Sequence, residues 1–127
     1  MNSKEFLKIR HFLGKTQVKL AQLLCLSYKA VQSYEQSLRN IPVNVERQML
    51  LLLSLKRGFN RDMKPCWEVK DCAPEWKVSC IVWELKAMHF CWFLNGTCCQ
   101  GKTQKSWEDK IGLCRECVVY KDMLTDI

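Results

Sequence analysis

The chain has 127 residues, with 20 Lys+Arg against 13 Asp+Glu and nine Cys, a length that permits one domain or two small ones. Its longest apolar run, from Met49 to Leu53, is far too short for a membrane-spanning helix. The start, Met1-Asn2-Ser3-Lys4-Glu5, leads into mixed sequence and not into an apolar leader, so a cytoplasmic setting is expected. Thiols stay reduced there, and clustered Cys then read as metal ligands or redox groups, not as structural disulfides.

Charge and cysteine divide the chain at nearly one place. Residues 1–61 carry 11 Lys+Arg and 3 Asp+Glu, a net of +8, while residues 62–127 carry 9 and 10, a net of −1. Every Trp lies at or after Trp67, and eight of the nine Cys lie at or after Cys66. This pattern predicts a basic domain over 1–58 that meets a polyanion, a linker over 59–65 and a cysteine-rich domain over 66–122. A hydrophobic core is marginal at about 60 residues per half. Five Trp and a set of thiols in the second half are the expected compensation.

In chain order, Ser3 is placed to cap a first helix bearing Phe6, Ile9 and Leu13 on one face, stopped at Gly14. Thr16 caps a second, Gln17 to Leu24, that buries Leu20, Ala21, Leu23 and Leu24. Cys25 falls in the turn as a small turn or core residue. Ser27 then caps a third helix from Tyr28 to about Gln36. At roughly 100° per residue, Ala30, Val31 and Tyr34 face inward, and Tyr28, Lys29, Gln32, Ser33 and Gln36 form the opposite stripe. That stripe is polar but carries one charge only, and such donors and acceptors suit base edges in a major groove. Lys15, Arg39 and Asn40 are candidates for added phosphate contacts. A fourth helix is expected from Asn44 to Lys56, apolar nearly all round and so in need of cover on two sides.

Several phrases in this half resemble the Cro/phage-repressor (XRE-like) helix-turn-helix family. They are Thr16-Gln17-Val18-Lys19-Leu20-Ala21-Gln22-Leu23-Leu24, Leu26-Ser27, Val31-Gln32-Ser33-Tyr34-Glu35 and Arg39-Asn40-Ile41-Pro42. The similarity spans roughly residues 3–56. It implies a helical bundle that binds double-stranded DNA as a homodimer, with half-sites about one helical turn apart. It also implies base reading by Tyr28, Lys29, Gln32 and Ser33, and phosphate contacts by Gln17 and Ser27, where helix N-terminal amides favour anions. Arg10 and Glu35 match a pair that the family buries as a structural ion pair. The sequence departs from the family at Cys25 and Ser37, where glycine is common.

In the second half the thiols run Cys66-x5-Cys72-x7-Cys80-x10-Cys91-x6-Cys98-Cys99-x14-Cys114-x2-Cys117. Two Cys-Trp dipeptides, Cys66-Trp67 and Cys91-Trp92, suggest a weak internal duplication. Pro74 can begin a helix, Asn95-Gly96 marks a turn, and Ser106 can cap a helix to about Tyr120. Cys114 and Cys117 then share a face, three residues apart, and can reach one metal.

Pro65-Cys66-Trp67-Glu68, Cys91-Trp92-Phe93-x-Asn95-Gly96-Thr97-x-Cys99 and Cys114-x-x-Cys117 resemble a cysteine-rich Cys-Trp module that accompanies regulators and signalling proteins of anaerobic bacteria. On that likeness the framework thiols are Cys66, Cys72, Cys80, Cys91, Cys99, Cys114 and Cys117, with Cys98 extra. The residues themselves leave the chemistry open between an iron–sulfur cluster, structural zinc and metal-free thiols, including a reversible disulfide. His89 is a candidate ligand or an ordinary core or surface histidine. A sensing role and a metal-stabilised dimerisation cap both fit.

The expected fold is mainly α, a repressor-like helical bundle followed by a small Cys- and Trp-rich domain. No catalytic residues are expected. No paired carboxylates, Ser/His/Asp set or glycine-rich phosphate loop appears. Cys114 and Cys117 fall near the end of a helix, where the dipole opposes thiolate formation. The functional expectation is a DNA-binding transcriptional regulator; the alternative is a metal-stabilised protein-interaction module without DNA binding.

Overall fold

Helices account for nearly all regular structure in the computed structural model, and no strand occurs among the described residues. Those residues are 1–57, 74–75, 80–85, 90–94, 105–117 and 120–121. The chain divides into two compact units, Met1–Gly58 and Phe59–Asp126. The expected linker over 59–65 lies outside the described residues.

Helix α1 spans Ser3–Leu13. Its cap is Asn2, not Ser3, because the Asn2 side-chain oxygen accepts the Glu5 N–H at 2.9 Å. Ser3 instead donates its hydroxyl to the Tyr34 carbonyl at 2.6 Å and stands 2.7 Å from the Ser37 hydroxyl, tying the first helix to the end of the third. Helix α2 spans Gln17–Leu24 and α3 spans Tyr28–Glu35. Both use the expected caps: Thr16 accepts from Lys19 N–H at 3.2 Å, and Ser27 from Ala30 N–H at 3.1 Å. Each cap is worth about 1 kcal/mol.

All three helices end in the same way. After α1, Gly14 N–H reaches His11 O and Lys15 N–H reaches Arg10 O. After α2, Cys25 N–H reaches Gln22 O and Leu26 N–H reaches Ala21 O; after α3, Ser37 N–H reaches Tyr34 O and Leu38 N–H reaches Ser33 O. These nested pairs are Schellman closures, which need a left-handed residue at the corner. Gly14 (φ 69°) takes that conformation without strain, whereas Cys25 (φ 54°) and Ser37 (φ 61°) bear a side chain there. The cost is roughly 1–2 kcal/mol at each. These are the two positions where the repressor family commonly has glycine.

The first core joins Phe6 and Ile9, then Leu20, Ala21 and Leu24, then Ala30, Val31 and Tyr34, all buried. Helix α4, Val43–Arg57, adds Val45, Met49, Leu50 and Leu53. Phe6 meets Tyr34 edge-on, with centroids 5.8 Å apart. Fully burying a large apolar side chain contributes about 1.5–3 kcal/mol. α1 packs on α3 and α4, and α2 on α3. Leu23, which the helical pattern places inside, is exposed, and Leu13 is half-buried. Leu23 lies beyond the buried Leu20–Leu24 stripe, so its apolar character does not reflect core position. On α4, Leu51 and Leu52 are half-buried and Leu55 is exposed, leaving one apolar side of the helix less covered.

In the second unit, residues 74–75 are helical, and a short helix α5 spans Ile81–Leu85. Residues 91–93 form a turn in which Phe93 N–H reaches Phe90 O at 2.9 Å. Helix α6 spans Trp107–Arg115, capped by Ser106, whose oxygen accepts the Asp109 N–H at 3.1 Å. Glu108 and Asp109 in its first turn favour the helix dipole. The helix stops well before Tyr120, so Cys114 lies on it and Cys117 just beyond it. Trp107, Lys110, Ile111 and Cys114 are buried at helical spacing, which makes one inward face.

Candidate nucleic-acid face and thiol cluster

Inward anchoring of α3 fixes what it presents outward. With Ala30, Val31 and Tyr34 buried, Tyr28 and Lys29 are exposed, and Gln32 and Ser33 are half-buried. Gln32 Nε2 donates to the Tyr28 hydroxyl at 2.8 Å, one turn away on the same face. Ser33 donates to the Lys29 carbonyl at 2.8 Å. The stripe therefore holds polar groups with a single cation, held partly in order by its own hydrogen bonds.

Candidate phosphate-contacting residues divide into two groups. Lys15, Ser27, Arg39 and Asn40 are exposed. Arg39 and Asn40 border an open cavity of about 400 Å³ that also takes in Asn2, Ser3 and Ser37. Gln17 is different: it is half-buried, and its amide donates to the Glu35 carboxylate. Glu35 also accepts from Arg10 Nε, and the second Arg10 branch donates to the Lys15 carbonyl at 3.0 Å. Both partners of that ion pair are largely covered, with side chains 13% and 7% exposed. The pair thus joins α1 to the end of α3 and also holds Gln17 at the start of α2. The sequence pointed to the ion pair but not to the tie from Gln17.

Elsewhere in this unit, Glu46 on α4 is buried, and the Met1 ammonium stands 3.3 Å from its carboxylate. Cys25 is exposed at its corner, which makes it a turn residue and not a core one.

Four of the expected framework thiols lie among the described residues of the second unit. Cys91 is buried, with Cys80, Ile81, Leu94 and Cys117 packed against it. Cys114 is buried on α6, and Cys117 N–H reaches its carbonyl at 2.9 Å. None of the four is joined in a disulfide. Burial pushes the Cys114 thiol up from 9.0 to about 11; the Lys110 ammonium opposes this, while the nearby Cys91 and Cys117 add to the rise. Lys110 is itself buried and directs its Nζ toward Cys114 Sγ at 3.8 Å. Nothing in the local pattern singles out Lys110, since a lysine one turn before a cysteine is common on a solvated helix.

Among the described residues, no group of three or more His, Cys, Asp or Glu stands ready to hold a metal ion. The thiols meet as packed neighbours. Cys66, Cys72, Cys98, Cys99, His89 and the Asn95-Gly96 turn lie outside the described residues. Trp92, next to Cys91, is fully buried between Phe90 and Phe93, and its indole N–H has no acceptor among the described residues.

No described helix is long and apolar enough to cross a membrane. No family model, curated protein or solved structure matches this chain.

Proposed function

We propose that the chain is a sequence-specific, DNA-binding transcriptional regulator of the Cro/phage-repressor helix-turn-helix kind, acting as a homodimer on a two-fold symmetric site. The observation that carries this reading is the outward stripe of α3, Tyr28, Lys29, Gln32 and Ser33, on a helix whose opposite side is buried. Its amide N-terminus, capped by Ser27, would approach the phosphate backbone, and the stripe would meet base edges in the major groove. Exposed Lys15, Arg39 and Asn40 would set register without reading sequence. The net charge of +8 on residues 1–61 supports a polyanionic partner.

For the second half the proposed role is to bind a zinc ion or an iron–sulfur cluster, for structure or for redox sensing. The support is donor chemistry alone: thiols suit thiophilic metals, and Cys80 and Cys117 pack against Cys91. Bound zinc would supply a tetrahedral cross-link, and a cluster would supply an electron-accepting centre. The chain's own part is to exclude water and to present thiols from separate segments.

Duplex affinity measured against salt concentration tests the DNA reading, because neutralised phosphates release counterions. A protein making about six phosphate contacts loses on the order of a thousandfold in affinity between 50 and 200 mM salt. A flat response overturns the regulator reading. It would favour the second one, a metal-stabilised protein-interaction module, for which exposed Val18 and Leu23 on α2 offer an apolar surface.

A further inference from the structure

One hydrogen bond on the outward stripe of α3 decides which groups remain to meet a base. Gln32 Nε2 donates to the Tyr28 hydroxyl at 2.8 Å, one turn apart, with Tyr28 exposed and Gln32 half-buried. An amide side chain has two N–H donors and a carbonyl acceptor. With one N–H given to Tyr28, Gln32 keeps one donor and its Oε1 acceptor, side by side on a planar edge. Its neighbours do not offer that pair. Lys29 has donors only. The Ser33 hydroxyl proton goes to the Lys29 carbonyl at 2.8 Å, which leaves Ser33 an acceptor.

Bases in the major groove differ in what they present. Adenine shows an acceptor at N7 beside a donor at N6, and guanine shows acceptors at both N7 and O6. Cytosine shows a donor, and thymine an acceptor with its methyl group. One donor and one acceptor in a plane match adenine at both points. Against guanine, Oε1 would face O6 with no proton between them. Turning the amide over to offer guanine N–H groups alone breaks the bond from Nε2 to Tyr28. That bond therefore favours the orientation that suits adenine, and it reduces the side-chain freedom lost on binding.

We propose that Gln32 is the adenine-reading residue of this face, and that Tyr28 is a positioning residue that holds its amide in the reading orientation. This rests on the DNA-binding reading and deepens it by naming one base that the preferred site must contain. Oε1 accepts from adenine N6, and the N–H on the carbonyl side of the amide donates to N7, while Tyr28 takes the other N–H.

The test uses the full chain and a pool of randomised duplexes, so that the preferred sequence is selected and not assumed. Gln32→Ala should lose preference at one position of the enriched site while the rest of that sequence persists. The position so found should hold an A·T pair, and replacing it by G·C should weaken the unsubstituted chain about tenfold. A relaxed position that holds G·C, or no relaxed position, overturns the assignment while DNA binding stands. Absence of any enriched sequence overturns it as well; if affinity is also insensitive to salt, the DNA-binding reading falls with it. 7-Deazaadenine at the same position removes the N7 acceptor, and should weaken the unsubstituted chain about fivefold but Gln32→Ala less than about twofold. Equal effects on the two chains overturn the contact. Tyr28→Phe keeps the ring and deletes the hydroxyl. It should cut the preference for adenine over guanine at this position by about threefold or more, with preferences elsewhere unchanged. An unchanged ratio removes Tyr28 from the proposal.

Discussion

Arg10 on α1 donates to the Glu35 carboxylate at the end of α3, and both side chains are almost closed off from solvent. Because Glu35 also accepts from Gln17, removing it strands a guanidinium and an amide together. Losing one partner of a covered ion pair costs about 3–5 kcal/mol. Glu35→Ala should therefore lower the thermal midpoint sharply, whereas Arg10→Met combined with Glu35→Leu should recover much of the loss. A double variant no more stable than Glu35→Ala alone would show that the cost lies elsewhere than in the stranded charge.

The two side-chain-bearing corners give a prediction of opposite sign. Cys25 and Ser37 both hold positive φ, so glycine there removes left-handed strain and loses some chain entropy in return. Cys25→Gly and Ser37→Gly should each stabilise by about 1 kcal/mol, or roughly 4–8 °C in a domain of this size. Ser37→Gly should gain less, because it deletes the hydroxyl beside Ser3. Chemical denaturation of each variant checks the order.

On the outward stripe of α3, Lys29→Ala together with Gln32→Ala should erase preference among duplex sequences while leaving most nonspecific affinity. Direct base contacts supply discrimination of about 1–3 kcal/mol per good pair, and phosphate contacts supply the rest. Competition binding with specific and random duplexes separates the two. Equal loss on both kinds of DNA would remove the base-reading role.

Cys25 and Cys114 should differ in reactivity in the metal-free chain. Cys25 is exposed, while Cys114 is buried with its thiol pushed to about 11. Alkylation at pH 8 should mark Cys25 first and Cys114 last. A folded-state value raised above 9.0 means that the associated stability is complete below pH 9 and is lost as pH rises through 11. Mass-spectrometric mapping of alkylated sites over time, repeated at pH 10, checks this; early labelling of Cys114 at pH 8 would contradict its burial.

The local helices were legible because their signals are short-range. Thr16, Ser27 and Ser106 each sit immediately before a helical pattern, and each hydroxyl accepts the expected amide. The inward trio of α3 follows from period alone, and Ala30, Val31 and Tyr34 are buried. Less was legible where two neighbours compete for one role. Asn2 took the cap from Ser3, whose hydroxyl gains more by closing across to Tyr34. Leu23 reads as core by hydropathy but points off the buried stripe. Likeness alone points Gln17 toward phosphate, and its tie to Glu35 depends on a fold-level approach that spacing does not encode. The same holds for Lys110, whose burial arises from tertiary packing around α6.

Since the three early corners close through main-chain amides, their side chains are largely free of the task of reversing direction. Positions 14, 15, 25, 26, 37 and 38 supply the N–H groups, and proline has none to give. At exposed Lys15 and Leu38 substitutions can vary in charge and bulk, whereas the left-handed corners at 14, 25 and 37 favour glycine; an imino acid at any of the six should open the turn. Lys15→Pro or Leu38→Pro, read by loss of helical circular dichroism, would expose that intolerance at sites that surface chemistry alone marks as permissive.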